Sequence, residues 1–351
     1  MTDGVPSVAE QARERGWHAD LFEFGNAHEG NVRLFNPSLA LRADGLWLVT
    51  RRSVPWQQTP IGLNDIVAFK LLDGMVIGPR IDVKFPVRYE NEHFEDPRVS
   101  AIDGELYISC TNFQCVGSQS PLGTHQLLGR VDEQWQVVRL VDPIYGYNRS
   151  SALAQTGNEK NWLWFDHGGQ IHMVYTTVPH QVVRFDSAIT AQQTYASRVQ
   201  GLRWNYGVPS GGTPPVRIGD KYWSFFHGSI VSSGKRRYSM GAYAFEACPP
   251  FRITRITANP LLTGSEHDPS RWFPLVVFPG GTLYRDSKWL VVFGVNDCTS
   301  GWIEIPHGNL LTLTHEVVSE LCAPSNVIDA WAEERKMQAS ARGSVMVSTG
   351  R

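Results

Sequence analysis

The sequence has few of the features that mark disulfide-rich or metal-binding proteins. It contains five cysteines and no Cys-x-x-Cys pair. An odd number of scattered cysteines indicates neither a disulfide framework nor a zinc site. Free thiols are the simpler interpretation. We expect no metal and no organic cofactor.

Long apolar runs and an excess of one charge are also lacking. No segment approaches the roughly 18 apolar residues of a membrane span, and the first twenty residues are charged throughout, without the apolar core of a signal peptide. The 32 basic and 34 acidic residues give a formal net charge of −2, and no basic run is long enough to follow a phosphate backbone. We therefore expect a cytoplasmic protein that binds neither a membrane nor nucleic acid.

Helix-forming stretches are scarce, whereas turn formers and aromatic residues are abundant. Ala-, Glu- and Lys-rich segments are nearly absent outside the two ends, and the chain holds 32 glycines, 21 prolines and 12 tryptophans. This composition is typical of short strands separated by turns. A chain of 351 residues is long enough for one large all-β unit.

One pattern repeats five times along the chain. A segment bearing Pro or Gly leads into an apolar run, a short polar turn and a second apolar run. The turns lie at Asp44-Gly45, Asp103-Gly104, Gly168-Gly169, Gly219-Asp220 and Asp286. They are roughly 50 to 70 residues apart, which leaves room for about four strands in each repeat. The sequence therefore predicts an all-β fold, a five-bladed β-propeller.

The predicted domain organisation follows from the extent of the repeat. The propeller would be the catalytic domain and occupy residues 31–320. Residues 1–30 would form an N-terminal extension. Residues 321–351 would form a C-terminal extension, in which 329–341 is predicted to be a short helix that packs under the propeller or at a subunit contact. A homo-oligomer is not excluded.

Residues that precede the inner strands of a propeller converge on its central funnel although they are far apart in the sequence. Glu95, Asp96 and Arg98 stand before the second inner strand, Asn36 before the first, and Lys160 before the third. Ends of the outgoing strands are expected to line the wall of the same funnel, and these are Arg51, His227, Arg236, Arg237 and Asp297.

Five motifs carry a resemblance to a known family. They are "EDPRV" (95–99), "GGTPPVRIGDKYWSFFHG" (211–228), "RRYSMGAYAFE" (236–246), "VVFPGG" (276–281) and "VVFGVND" (291–297). In this order and at these separations they resemble the mannoside phosphorylases and β-mannosidases of glycoside hydrolase family 130, over about residues 30 to 305. The resemblance implies a five-bladed propeller and inverting chemistry on β-mannosidic bonds.

The resemblance also implies roles for individual residues. Asp96 matches the general acid, which in that family is proposed to protonate the leaving oxygen through a sugar hydroxyl. Lys160 and His227 stand where phosphorylases hold phosphate, with Arg236 or Arg237 nearby. Asp297 matches a carboxylate that holds the sugar in the cleavage subsite. Asn36, Arg51, Glu95 and Arg98 are also expected to contact the sugar, because of their places at the predicted funnel. Trp204, in the loop "GLRWNYGVPSGG" (201–212), is expected to stack on a sugar ring.

One segment departs from the pattern of the phosphorylases. "YTTVPH" (175–180) stands where they show an arginine-containing stretch. One expected phosphate ligand is therefore absent, or its place is taken by His180 or Arg184.

The residue types alone favour phosphorolysis over hydrolysis. An inverting hydrolase needs an acid and a base carboxylate about 6.5 to 9.5 Å apart, whereas a phosphorylase receives its anionic nucleophile as a co-substrate. Asn36 stands where related five-bladed families place a carboxylate, and the Lys, His and Arg residues are of types that hold phosphate. The predicted reaction is phosphorolysis of an oligosaccharide, or its reversal from mannose 1-phosphate.

Two alternatives remain open at this stage. Glu95, Glu159 or Glu246 could act as the base of an inverting β-mannosidase, and a propeller without turnover could simply bind carbohydrate, its cations holding an acidic sugar. We also expect the neighbouring carboxylate of Glu95 to raise the pKa of Asp96, so that this acid is partly protonated near neutral pH.

Overall fold

The structure is a computed structural model that describes most of the chain. The described residues are 4–24, 32–54, 64–86, 92–114, 124–141, 143, 160–232, 234–269 and 275–324. Within these ranges, two short α-helices and one 3-10 turn accompany the β-strands. The helices are α1 (Val8–Glu14) and α2 (His307–Leu313), and the 3-10 turn is Asp73–Met75.

Twenty-four strands are formed by the described residues. The first twelve are β1 (His18–Leu21), β2 (Arg33–Arg42), β3 (Gly45–Ser53), β4 (Asn64–Leu72), β5 (Val76–Asp82), β6 (Glu92–Ile102), β7 (Glu105–Gln114), β8 (Thr124–Val131), β9 (Val137–Val141), β10 (Leu163–His167), β11 (Gln170–Thr176) and β12 (His180–Phe185). The others are β13 (Ala191–Val199), β14 (Ser210–Gly211), β15 (Val216–Ile218), β16 (Lys221–Ser232), β17 (Lys235–Glu246), β18 (Ile253–Thr257), β19 (Leu262–Thr263), β20 (Val277–Arg285), β21 (Lys288–Val295), β22 (Thr299–Pro306), β23 (Thr314–Glu316) and β24 (Ser319–Leu321).

The strands form five separate antiparallel sheets. Three have four strands, in the orders β2-β3-β4-β5, β6-β7-β8-β9 and β1-β22-β21-β20. The third sheet along the chain has the order β10-β11-β12-β13-β24, and the fourth has the order β14-β16-β17-β18-β23, with β15 and β19 attached to β16 and β17. The prediction of an all-β, propeller-like arrangement is confirmed.

All five predicted hairpins are present. Asp103-Gly104 and Gly168-Gly169 form two-residue turns in which all four residues have positive φ, as primed hairpin turns require. The fifth turn is Asp286-Ser287, also with positive φ at both residues. The first turn is shifted by one residue from the prediction, because Gly45 pairs with Arg42 and so already belongs to β3.

The inner strands β2, β6 and β20 are each interrupted by a register shift near the end where the strand begins. In β2 the shift falls at Asn36 and in β6 at Asp96, and these residues have φ of 53° and 52°. Asn and Asp tolerate this left-handed conformation better than most residues. A bulge of this kind re-aims a side chain, and here it directs two polar side chains towards the same space.

Neighbouring sheets are joined by packed apolar side chains and by short polar links. The Ser38 hydroxyl of β2 accepts the backbone N–H of Val99 in β6 at 3.0 Å, and the Ser100 hydroxyl of β6 donates to the carbonyl of Trp164 in β10 at 2.7 Å. Between the fourth and fifth sheets, fully buried Phe225, Trp289 and Phe293 belong to one apolar cluster. Inner strands of successive sheets are therefore fixed side by side.

The N-terminal segment belongs to the sheet structure instead of forming a separate extension. Strand β1 pairs with β22, and the Val8 and Trp17 side chains pack into the cluster between the last two sheets. This places the first strand of the chain in the last sheet, which links the two ends of the fold. The predicted helix at 329–341 lies outside the described residues. No helix in the described ranges is both long and apolar enough to span a membrane.

Candidate active site

All five sheets contribute to a cavity of about 320 Å³. Its wall includes Asn36 of β2, Asp96 of β6, Asn161 just before β10, Gly211 of β14 and Phe278 of β20. A cavity of this volume lies at the lower end of the range for small-molecule sites. The predicted convergence of the inner-strand approaches is thus observed.

Most of the predicted site residues line this cavity. Those that do are Asn36, Arg51, Asp96, Lys160, His227, Arg236 and Asp297. Four others are not among the lining residues, and these are Glu95, Arg98, Trp204 and Arg237.

Arg51 links the two carboxylates of the "EDPR" segment. Its Nη2 lies 2.5 Å from Glu95 Oε1 and its Nη1 lies 3.4 Å from Asp96 Oδ1. The Asn64 side chain completes this cluster, because its amide donates to Glu95 Oε1 at 2.8 Å and its oxygen accepts from Arg51 Nε at 3.2 Å. Arg51, predicted to bind sugar, therefore also orients both carboxylates.

The two carboxylates have opposite pKa shifts, which corrects the prediction for Asp96. Burial, the largest cause, raises the pKa of Glu95 to about 7, and the charges of Asp96 and Asp297 act in the same direction. Burial also raises the pKa of Asp96, but Arg51, Arg98 and the Asn36 amide together lower it below its usual value. Glu95 therefore holds a proton more readily than Asp96.

Asp297 places a further carboxylate at the cavity. It follows β21 with φ of 48°, and burial raises its pKa to about 6. The neighbouring Asn296 fixes this turn, since its Oδ1 accepts the N–H of Val276 at 2.7 Å and its Nδ2 donates to the carbonyl of Ser265 at 2.8 Å. The backbone that carries Asp297 is thus held by buried hydrogen bonds.

Arg98 lies behind the cavity wall and does not face the sugar space, contrary to the prediction. Its side chain is 2% exposed and stacks on the Phe278 ring at 4.8 Å. Its Nη1 donates to the carbonyl of Asp96 at 2.8 Å, and its Nε donates to the carbonyl of Gly212, which directly follows β14. Arg98 therefore braces the bulge that presents Asp96.

Lys160 and Arg236 both line the cavity. The Arg236 guanidinium donates to Ser229 Oγ at 3.0 Å. Within the described part of the chain, no carboxylate lies within ion-pair distance of either cation. Both charges are therefore free to bind an anion that enters the cavity.

His227 lines the cavity as a neutral donor or acceptor and not as a cation. Burial lowers its pKa to about 3, and nearby Arg98 and Lys160 act in the same direction. Its ring packs against Phe278 and Tyr238 at centroid distances of 4.5 and 5.8 Å. It therefore carries no charge, unlike Lys160 and Arg236, with which the sequence analysis grouped it as a phosphate ligand.

Arg237 faces away from the cavity, which corrects its assignment as a phosphate ligand. It alternates with Arg236 along β17, and successive side chains of a strand point to opposite faces. Its Nη2 lies 3.3 Å from Glu266 Oε2, and Lys235 Nζ lies 3.1 Å from Glu266 Oε1. The alternation of side chains along β17 therefore directs Arg236 to the cavity and Arg237 to its ion pair with Glu266.

Trp204 is a core residue, which corrects its assignment as a sugar-stacking platform. Its side chain is 6% exposed and packs edge-on against Phe226 with centroids 4.7 Å apart. The two suggested replacements for the missing phosphate ligand are also excluded by position. His180 is buried against Tyr243 and Phe245, and Arg184 lines a separate groove.

Several residues that line or support the cavity were missed by the sequence analysis. Asn161, Tyr175, Thr176, Ser229 and Tyr238 line it, and Asn64 supports Glu95. Asn161 could have been found, because it directly follows Lys160 in the approach to an inner strand. Tyr238 and Ser229 lie on facing positions of β16 and β17, and only the register of that pair reveals their proximity.

Two of the glutamates considered as a base are now placed. Glu246 pairs with Arg252 at the far end of β17 and is not among the cavity residues. Glu95 is not among the residues that line the cavity, and Glu159 is outside the described residues. No group of three or more His, Cys, Asp or Glu side chains in the described ranges is arranged to hold a metal ion.

Comparisons with known proteins agree with this geometry. Residues 9–316 match the profile of glycoside hydrolase family 130, described as beta-1,4-mannooligosaccharide phosphorylase. A search of curated proteins finds no match.

Solved structures show the same fold at low sequence identity. The β-1,2-mannobiose phosphorylase of Listeria innocua, solved with β-1,2-mannobiose, is 15% identical, with 82% of this chain and 93% of that chain covered and a TM-score of 0.59. A structure reported for hydrolases of the family that target β-1,2 mannosidic linkages in Candida mannan is 14% identical, with coverage of 86% and 92% and a TM-score of 0.55. MPT-4, a mannose phosphorylase from Leishmania mexicana solved with phosphate, is 11% identical, with coverage of 91% and 97% and a TM-score of 0.50. Because the profile spans most of the sequence, this chain belongs to glycoside hydrolase family 130, whose members are phosphorylases and hydrolases of β-mannosidic linkages.

Proposed function

We propose that this protein is an inverting mannoside phosphorylase, which also runs in reverse from mannose 1-phosphate. One observation carries the proposal: Lys160 and Arg236 line the cavity that contains Asp96, and no described carboxylate lies within ion-pair distance of either charge. Free cations beside an acid suit a reaction in which the nucleophile arrives as an anion. His227 adds a neutral hydrogen-bonding group to the lining of the same cavity.

We assign one blade of a five-bladed propeller to each of the five sheets. All five sheets contribute to the cavity, and all five also contribute to a second cavity, through Leu39, Val99, Trp164, Val216 and Thr282. A common axis explains why the same five sheets contribute at both places.

Asp96 is the proposed general acid. It gives its proton to the leaving glycosidic oxygen, through a sugar hydroxyl as the family resemblance implies, while a phosphate oxygen attacks C1 from the opposite face. The C1–O bond breaks, α-mannose 1-phosphate and an alcohol form, and the Asp96 carboxylate recovers a proton from solvent. Because Asp96 has a lowered pKa in the free protein, binding of the sugar and exclusion of water must raise it before transfer.

Hydrolysis is the second candidate, and Asp297 is the observation that favours it. This carboxylate lines the cavity together with Asp96, and its pKa of about 6 suits a general base near neutral pH. An inverting β-mannosidase would use Asp297 to activate a water. It would then have no use for the two free cations.

The phosphate requirement separates the two candidates. β-1,2-, β-1,3- and β-1,4-linked mannobioses are incubated with the protein in the presence and absence of inorganic phosphate, and mannose 1-phosphate is incubated with a panel of sugar acceptors. The proposal expects disaccharide loss only with phosphate, and phosphate release from mannose 1-phosphate only with an acceptor. Disaccharide cleavage that proceeds equally in phosphate-free buffer establishes the β-mannosidase instead.

A further inference from the structure

Asn36 has an unusual relation to the acid. Its Nδ2 donates to Asp96 Oδ1 at 2.7 Å, the shortest hydrogen bond that Asp96 makes among the described residues. Asn36 and Asp96 occupy equivalent bulges in adjacent sheets, each followed by a proline and each with φ near 50°. Their side chains therefore meet at the cavity as a pair.

Both hydrogen bonds to the Asp96 carboxylate are received by the same oxygen. Asn36 Nδ2 and Arg51 Nη1, at 2.7 and 3.4 Å, both point to Oδ1. An oxygen that accepts from two donors is a poor position for a proton, because the O–H would face two N–H groups. The second oxygen, Oδ2, has no donor among the described residues and is open for a transferable proton.

The position of the Asn36 amide is fixed by close packing. The residue is 4% exposed, and its Oδ1 lies directly over the α-carbon of Gly294 in β21. A β-carbon built at Gly294 would overlap Asn36 Oδ1 and would also crowd the Asn36 amide carbon at 3.0 Å. Only glycine leaves room for the amide in this position, so the fifth sheet holds Asn36 against Asp96.

We propose that Asn36 is a positioning residue that keeps Asp96 Oδ1 as a hydrogen-bond acceptor and thereby confines the transferable proton of Asp96 to Oδ2. This inference rests on the proposed function only in that Asp96 is the acid. It holds equally for phosphorolysis and for hydrolysis. It assigns to Asn36 a role beyond the sugar contact expected from the sequence.

The direct test measures the pKa of Asp96 by carbon-13 NMR of protein labelled at aspartate carboxyl carbons, with the Asp96 signal assigned by its loss in Asp96→Asn. Asn36→Gly removes the amide and suits the positive φ of this position. Loss of a charge-assisted hydrogen bond is expected to raise the pKa of Asp96 by about one to two units. Asn161→Gly is the matched control, because Asn161 also lines the cavity with positive φ but makes no hydrogen bond to Asp96.

A second variant displaces the amide without removing it. Gly294→Ala is expected to raise the pKa of Asp96 in the same direction, whereas Gly308→Ala, where a β-carbon meets open space, is expected to leave it unchanged. In assays with the β-mannobiose that the wild type cleaves, Asn36→Gly is expected to lower kcat about 10- to 100-fold with little change in KM, because the acid loses its orientation.

The outcomes separate the inference from the function on which it rests. An unchanged pKa of Asp96 in Asn36→Gly, or an equal rise in Asn161→Gly, overturns the positioning role. A raised KM with unchanged kcat and unchanged pKa shows that Asn36 is a sugar ligand only, which also overturns it. Full activity of Asp96→Asn instead contradicts the proposed function, whatever the NMR titration shows.

Discussion

Replacing Arg236 by alanine is expected to weaken phosphate binding while leaving sugar binding nearly unchanged. The guanidinium is held towards the cavity by Ser229 and has no described acidic partner, so its loss removes a charge-assisted hydrogen bond to phosphate without releasing any other charge. Such a bond is worth about 1.5 to 3 kcal/mol, or roughly 10- to 150-fold in affinity. Because Arg236 is exposed at the rim, we expect the lower end of this range.

The neighbouring arginine provides a matched control. Arg237→Ala removes the same charge one position further along β17, but that charge is paired with Glu266 on the other face of the strand. Initial rates of phosphorolysis are measured against phosphate concentration at constant ionic strength for the wild type and both variants. Arg236→Ala should raise the KM for phosphate about tenfold and Arg237→Ala should not. Equal effects of the two substitutions would refute the assignment of Arg236 to the anion site.

Three further predictions concern Glu95, His227 and Trp204. Folding raises the pKa of Glu95 from 4.5 to about 7, so the folded state binds this proton more tightly than the unfolded state. The free energy of unfolding is therefore expected to fall as the pH rises through that interval. Glu95→Gln should flatten this pH dependence in denaturant titrations at pH 5 to 8. His227→Gln should raise the KM for phosphate but leave the limbs of the pH–rate profile between pH 5 and 8 in place. The reason is that the pKa of His227 is about 3, so the ring is already neutral in this range. A limb that disappears in the variant would show that His227 titrates during turnover. Trp204→Ala should lower the free energy of unfolding by about 3 to 5 kcal/mol without changing the KM for sugar, since the ring fills the core; a large rise in that KM would return Trp204 to the sugar site.

Much of the fold could be predicted from the sequence because hairpin turns are local. Gly168-Gly169 and Asp103-Gly104 supply the positive φ that a primed turn needs, and this requirement is visible in two residues without knowledge of the rest of the chain. Five such turns at a repeating interval then predict where inner strands begin. The convergence of Asn36 and Asp96 follows from that repeat, although they are 60 residues apart.

The details of the site depend on register and packing that the sequence does not display. Arg236 and Arg237 are adjacent and chemically equal, and only the pairing of β17 with β16 decides which one faces the cavity. The pKa of Asp96 was predicted from the adjacent Glu95, but it is lowered by Arg51, which comes from another sheet. Trp204 was assigned to the sugar because it lies in a loop, and Phe226 packs it into the core.

A crystal structure of the protein with mannose and phosphate bound tests the central claim most directly. The account predicts phosphate oxygens within hydrogen-bond distance of Lys160 and Arg236, with a mannose hydroxyl beside Asp96 Oδ2 in the same cavity. Phosphate held elsewhere, or a mannose whose hydroxyls all lie away from Asp96, would contradict it.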